Sequence, residues 1–210
     1  MIRVLIADDH AILRRGLAQI IAEAGEMQVC AEAETGAQTL KLARKHDVDV
    51  VLLDVTMPDR NGLETLKLLK KEKPKLAVLM LSMHPEETYA LRAIRAGASG
   101  YLTKQSAPAL LVTAIRQVAG GRRYISATVA EQLAGTVAAG SDRPAHATLS
   151  DREYETMRLI ASGKTLSEIA AEMHLSAKTV SVYRARLLEK MRLKNNSELT
   201  HYALKNHLVD

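Results

Sequence analysis

Three acidic residues, one serine and one lysine stand where short apolar runs of this chain stop. Their types in that placement suit phosphoryl chemistry. Asp8 and Asp9 follow the run at 3–7, Asp54 follows 48–53, Ser82 follows 76–81, and Lys104 follows Gly100-Tyr-Leu-Thr103. Carboxylates brought together repel one another, and burying them uncompensated is costly. A divalent cation removes that penalty, and an oxygen-rich donor set suits Mg²⁺. Beside such a site the Lys104 ammonium can neutralise one phosphoryl oxygen, and the Ser82 hydroxyl can donate a hydrogen bond to another. Asp54 can then attack phosphorus, with Mg²⁺ spreading the charge of the transferring group. One acid at a strand end is ordinarily a cap or a turn residue. The whole set in this order asks for a shared site.

For these residues to meet, their runs must lie side by side. Through residue 120 the pattern alternates between β-rich apolar runs (3–7, 27–33, 48–53, 76–81, 100–102) and helical-period segments (11–24, 36–46, 62–72, 86–96, 107–119). Such alternation predicts βαβ units, a five-stranded parallel sheet, and helices on both faces through right-handed crossovers. The fold class expected is α/β, a flavodoxin-like (βα)5 domain with strand order 2-1-3-4-5. That order makes the first and third strands neighbours and gathers the acids at their carboxyl ends, where such sheets bind ligands.

Composition bounds the rest. The 210 residues carry 29 Lys+Arg against 24 Asp+Glu, a net charge of +5, and are 47% hydrophobic, which excludes wholesale disorder and fibrous repeats. With one cysteine, Cys30, there is no internal disulfide and no Cys-rich metal site. The start MIRVLIADDH turns acidic too early for a signal peptide, and no apolar stretch reaches membrane-spanning length. A cytoplasmic protein without a membrane partner is expected. With no Phe and no Trp, the cores must be aliphatic and Met-based, with six Tyr.

The strand signal ends at Gly120-Gly121, and 121–147 reads as a linker with a weakly helical Ala-rich piece and a loop at 140–144. From 148 to 210 the pattern predicts an all-α, four-helix domain. Ser150-Asp-Arg-Glu153 and Thr165-Leu-Ser-Glu168 are capping boxes, Ser176 is an N-cap for a helix to about residue 191, and Asn195 starts a fourth helix. The second and third have the lengths and short connection of a helix-turn-helix. Within 178–194 six basic residues face a single acid, Glu189, a local charge that suits a nucleic-acid footprint.

These motifs carry a resemblance. Ile6-Ala-Asp8-Asp9-His10, Leu53-Asp54-Val-Thr-Met57-Pro58 with Gly62 following, Leu81-Ser82 and Gly97-Ala-Ser-Gly100-Tyr101-Leu-Thr-Lys104 resemble the receiver domain of two-component signalling over residues 1–120. Leu149-Ser-Asp-Arg-Glu153, Gly163-Lys-Thr-Leu-Ser-Glu168-Ile-Ala170 and Leu175-Ser176-Ala-Lys178-Thr179-Val180 resemble the LuxR-type helix-turn-helix. Together they resemble a NarL/FixJ-family response regulator. The resemblance implies a phosphorylation-dependent transcription regulator, with Asp54 as phosphoacceptor for a sensor histidine kinase. Mg²⁺ would be held directly by Asp9, Asp54 and the Thr56 carbonyl, with Asp8 acting largely through a water. Ser82 and Tyr101 become the switch pair and Lys104 the phosphoryl contact. The one departure is Gln105, where many receivers have proline. On double-stranded DNA, Ser181, Val182 and Ala185 take base-facing places, while Lys178, Thr179, Arg184 and Arg186 contact phosphates or bases. The last helix adds a dimer contact, so a homodimer is expected on activation.

The competing enzymatic reading is a Mg²⁺-dependent aspartyl-phosphate phosphohydrolase. Enzymes of the haloacid-dehalogenase type carry a second acid two residues after the nucleophile, where this chain has Thr56. No enzyme activity is therefore expected. A third reading is a regulator that binds DNA without phosphorylation, and the complete acidic set argues against it. Among other residues, His10 and His84 rim the expected pocket and read as surface residues. Cys30 reads as a small buried hydrophobe, and Met57, Met80, Met83, Met157, Met173 and Met191 as core or rim filler. Arg14-Arg15 and Arg122-Arg123 read as solvated pairs.

Overall fold

A computed structural model describes residues 1–138, 144–206 and 208–209. The chain divides into two compact units, Met1–Ala134 and Gly135–Asp210. In the first, five strands and five helices alternate: β1 Ile2–Ala7, α1 Ala11–Glu23, β2 Met27–Ala33, α2 Gly36–Lys45, β3 Val50–Asp54, α3 Gly62–Glu72, β4 Ala77–Ser82, α4 Glu86–Arg95, β5 Gly100–Thr103 and α5 Ala107–Ala119. All strands pair in parallel in the order β2-β1-β3-β4-β5, as the alternation predicts.

Every residue of β3 is buried, as befits a central strand covered on both faces. The polar interruption at Asp49 lies just before the strand, where its carboxylate accepts from the Arg3 backbone N–H at 2.8 Å and from the Arg3 guanidinium. Val4, Ile6, Val50, Leu52, Leu79 and Leu81 form one core with Leu17 and Ile21 of α1 and Leu111, Ile115 and Val118 of α5. Each such buried aliphatic side chain contributes about 1.5–3 kcal/mol relative to exposure. Tyr89 and Tyr101 are the largest fully buried side chains among the described residues, filling a core without Phe or Trp.

Two expectations change. Arg14 is 7% exposed rather than solvated, for reasons set by the acidic site below. Cys30 is half-buried, because the β1–β2 register shifts there and leaves it at a bulge, its thiol donating to the Val4 carbonyl at 3.4 Å. Met83, expected in the core or at the rim, is exposed at the rim after β4.

After α5 the chain turns at Gly121 (φ 78°) and returns along β5, where Tyr124 pairs with Gly100. Helix α6, Ala127–Ala138, follows, with Val129 buried. The first unit thus includes residues 121–134 of the segment expected to link the domains. Apart from Pro144, the loop expected at 140–144 lies outside the described residues.

The second unit is helical: a short 3-10 turn at Ala145–Thr148, then α7 Asp151–Ala161, α8 Leu166–Glu172, α9 Ala177–Met191 and α10 Asn196–Lys205. Both capping boxes form, Ser150 with Glu153 and Thr165 with Glu168. Ser176 and Asn195 cap α9 and α10 through the N–H groups of Thr179 and Glu198. Met157, Ile160, Ile169, Met173, Val180, Leu187, Leu188, Met191, Leu199 and Ala203 form the buried interior. Leu204 is an exposed exception on α10, one residue past the buried Ala203. No helix among the described residues is long and apolar enough to cross a membrane.

Candidate phosphoryl site and nucleic-acid interface

The carboxyl ends of β1 and β3 lie side by side, because Val4 through Ala7 pair with Val50 through Leu53. That register sets Asp8 beside Asp54. Ligand atoms of Asp8, Asp9, His10 and Asp54 lie within 4.8 Å of one another. Asp8 is fully buried and Asp54 is 2% exposed. Lys104, arriving from the end of β5, places Nζ 2.7 Å from Asp8 Oδ2 and 2.8 Å from Asp54 Oδ2. One cation thus answers two buried carboxylates. Asp8 Oδ2 and Asp9 Oδ1 have ionic neighbours at hydrogen-bonding distance, but in neither contact is the alignment that of a hydrogen bond. Both retain coordination capacity, and three carboxylates form a hard donor set that fits Mg²⁺.

The charges reshape one another. Burial pushes the Asp54 carboxyl up to about 6; the attraction of Lys104 opposes this, the repulsion of Asp8 adds to it, and the Thr56 backbone N–H steadies the anion. Burial disfavours the Lys104 ammonium, yet the two carboxylates hold its pKa above the ordinary lysine value. A carboxylate desolvated beside a cation is one arrangement from which a nucleophile acts.

The remaining expected residues occupy the same sheet edge. The Lys104 backbone N–H donates to the Ser82 carbonyl at 2.7 Å, joining the ends of β4 and β5. Ser82 Oγ accepts from the His84 N–H at 3.0 Å, and the Tyr101 hydroxyl donates to the His84 carbonyl at 3.1 Å. Tyr101 is 2% exposed, so its ring already lies inside. Thr56 is half-buried in the loop after β3.

Residues beyond the expected set hold the acids in place. Arg14 Nη1 donates to the Asp8 carbonyl at 2.8 Å, and the same guanidinium pairs with Glu34 at 2.5 Å and Glu32 at 3.3 Å. A buried arginine therefore fixes the β1–α1 corner; its one sequence signal, an arginine on the apolar side of α1, is easily read as solvated. Asp59 accepts from the Gly36 and Ala37 N–H groups at the start of α2, and Asn61 caps α3 through Leu63. The second half of the loop after Asp54 is thereby anchored.

Gly62 closes that loop against the strand. Its N–H donates to the Val55 carbonyl at 2.8 Å, and a Cβ there would lie 1.9 Å from the Asp54 carbonyl oxygen. Gly62→Ala must displace the backbone that carries Asp54, at a cost of about 1–3 kcal/mol. The expected result in a thermal melt is a clear drop in midpoint together with weaker Mg²⁺ binding; unchanged stability would show that the loop yields freely.

In the second unit, α9 buries Val180, Leu187, Leu188 and Met191 and turns Lys178, Ser181, Val182, Ala185 and Arg186 outward. Two expected contacts are already engaged. Thr179 Oγ1 lies 2.8 Å from Ser176 Oγ at the N-cap, and Arg184 Nε donates to Asn196 Oδ1 at 2.7 Å. Tyr183 is half-buried. Lys190 points back to Glu153 of the first capping box at 2.6 Å and so serves the domain's own structure.

Known proteins share both halves. Residues 4–116 match the response regulator receiver domain, and residues 147–203 match the bacterial regulatory proteins of the luxR family. Response regulator UvrY of Escherichia coli K12 is 37% identical over 211 residues, spanning 100% of this chain and 97% of the relative. Response regulator GacA of Pseudomonas aeruginosa is 38% identical over 212 residues, spanning 100% and 99%. Among solved structures, RcsB of Salmonella enterica serovar Typhimurium bound to promoter rprA with the phosphomimetic BeF₃⁻ superposes with a TM-score of 0.63 at 26% identity, covering 96% of this chain and 97% of that one. An acid pocket at the switch point of a parallel sheet and an exposed helix on a four-helix module thus occur here in the order those relatives have them, and the chain belongs to the response regulators that join a receiver domain to a LuxR-type DNA-binding domain, the NarL/FixJ arrangement.

Proposed function

We propose that Asp54 accepts a phosphoryl group from a sensor histidine kinase and that this controls dimeric binding of α9 to double-stranded DNA. The observation that carries the reading is the Lys104 ammonium set between Asp8 and Asp54. In the transfer an Asp54 oxygen bonds to phosphorus as the bond from phosphorus to the kinase histidine nitrogen breaks. Lys104 is placed to meet a phosphoryl oxygen, and the Ser82 hydroxyl to donate to another. Asp9, Asp54 and the Thr56 carbonyl would hold Mg²⁺, with Asp8 acting through water; bound there, the cation offsets phosphoryl charge. A cytoplasmic location accords with the intracellular partners this reading requires.

On DNA, Ser181, Val182 and Ala185 would face bases, with Lys178, Thr179, Arg184 and Arg186 as phosphate or base contacts. Small residues at the base-facing places favour apolar contact with thymine methyls or readout through water. The neighbouring RcsB structure, bound to promoter DNA with BeF₃⁻, supports the same pairing of events.

The test is salt-dependent binding to random duplex and to the DNA upstream of the protein's own gene, with and without beryllofluoride and Mg²⁺. Tighter specific binding and dimer formation with beryllofluoride are expected; specific binding indifferent to it would overturn the switch. Arg186→Ala should weaken binding to all sequences alike and reduce the salt slope by about one, as for a lost phosphate contact. A loss confined to one base position would make Arg186 a base reader.

A further inference from the structure

We propose that residues 122–129 form a strap docked on the outer edge of β5, and that the state of Asp54 decides whether it stays docked. The proposal rests on the phosphoacceptor reading above. An edge strand presents unpaired backbone groups, which proteins commonly cover. Here the covering comes from the chain itself. The Tyr124 N–H donates to the Ser99 carbonyl at 2.8 Å, and the Tyr124 carbonyl accepts from the Tyr101 N–H at 3.3 Å. The Tyr124 side chain packs against the sheet core, and Val129 is 2% exposed. Ser126 Oγ donates to the Glu86 carboxylate and accepts from the Val129 N–H.

Gly100 is what admits the strap. A Cβ at that position would lie 2.6 Å from the Tyr124 carbonyl oxygen and 2.9 Å from Tyr124 Cβ. Any side chain there pushes Tyr124 off the edge.

One anchor of the strap, Tyr101, is half of the expected switch pair, and the other, Glu86, follows closely on Ser82 in the chain. Tyr101, whose N–H holds Tyr124, bonds through its hydroxyl to the His84 carbonyl. His84 in turn donates its N–H to Ser82 Oγ, and Glu86 begins α4 two residues further on. A hydroxyl that accepts one hydrogen bond still has its proton to give. Drawn to a phosphoryl oxygen on Asp54, Ser82 pulls the loop at 83–86 with it. Tyr101 and Glu86 then shift away from the strap, which a few hydrogen bonds, the partly buried Tyr124 ring and one buried valine hold in place. Elements with so few buried contacts open at low cost. Release frees the stretch of chain that leads to the DNA-binding unit.

Arg122 and Arg123 provide a readout, because trypsin must draw their backbone into an extended form and the hydrogen bonds to Gln117 oppose this. At present the Arg122 N–H donates to the Gln117 carbonyl, and Gln117 Nε2 donates to the Arg123 carbonyl. The full chain is digested with and without beryllofluoride and Mg²⁺, with ¹⁹F NMR reporting bound beryllofluoride and mass spectrometry following these two sites. Cleavage there is expected to accelerate about tenfold with beryllofluoride, as local opening becomes more populated. Gly100→Ala should reach the fast rate without it. Should that variant fail to fold, Ser126→Ala, which removes the Glu86 bond and the bond from the Val129 N–H, should raise the basal rate about threefold. Beryllofluoride bound at Asp54 with cleavage unchanged overturns the strap, as does a folded Ser126→Ala chain as protected as the parent. Absence of the bound ¹⁹F signal overturns the phosphoacceptor reading itself, and the strap's control falls with it.

Discussion

Asparagine at position 54 is expected to abolish phosphoryl uptake and every response to beryllofluoride, because an amide offers no carboxylate oxygen to phosphorus. Phosphate-affinity electrophoresis after incubation with a phosphodonor, and DNA binding with beryllofluoride, both read this loss; residual phosphorylation in Asp54→Asn would place the acceptor elsewhere. The same variant carries a second, opposite consequence for stability. In the metal-free protein burial pushes the Asp54 carboxyl up to about 6. A carboxyl with a raised pKa favours the neutral form in the folded state, so its ionised form costs stability. That cost is full above pH about 6 and is gone below the ordinary aspartate value of 3.8. Asp54→Asn should therefore be more stable than the parent at pH 8, by on the order of 1–3 kcal/mol. The gap should close as pH falls from 6 to 4. Thermal melts in chelator at the two ends of this window check it, and an equal or lower midpoint at pH 8 would contradict the burial account.

Removal of Lys104 should do the reverse. Its ammonium lies 2.7 and 2.8 Å from two carboxylates that are themselves buried. Breaking a buried ion pair by deleting one partner costs about 3–5 kcal/mol, because the other charge is left uncompensated. Part of that cost is relieved as Asp54 takes up a proton, so the loss should be largest at high pH. Lys104→Met keeps most of the side-chain volume and isolates the charge. In chelator its melting temperature should fall well below the parent's. Mg²⁺ should restore more stability to the variant than to the parent, since a ligand at a hundred times its Kd contributes about 2.7 kcal/mol and here replaces the missing cation. A variant as stable as the parent without Mg²⁺ would mean that Asp8 and Asp54 do not need the lysine.

Much of this molecule was legible in the order of its residues. The alternation of β-rich and helical-period segments specifies the parallel sheet, because period and crossover handedness leave few arrangements. Asp8, Asp9, Asp54, Ser82 and Lys104 were legible as one set because each ends an apolar run, and parallel pairing carries all such ends to one edge. Ser150, Thr165, Ser176 and Asn195 announce their helices because a cap is a local interaction within a few residues. What the order could not give are the contacts that depend on which side chain meets which backbone across the fold. Arg14 looks solvated beside Arg15, and only the meeting of α1 with the β1 corner turns it onto the Asp8 carbonyl. Cys30 looks buried, and only the register shift between β1 and β2 sets it at a bulge. Gly62 and Gly100 stand within the receiver motifs, but the need for glycine there shows only when the backbones of Asp54 and Tyr124 come too close for a Cβ. The sequence alone thus determined the elements, their order and the chemistry gathered at their ends, because periodicity and capping act over neighbouring residues. Tertiary structure alone decided the buried arginine, the two close backbone approaches and the docking of residues 122–129 on β5, because those depend on distances between segments far apart in the chain.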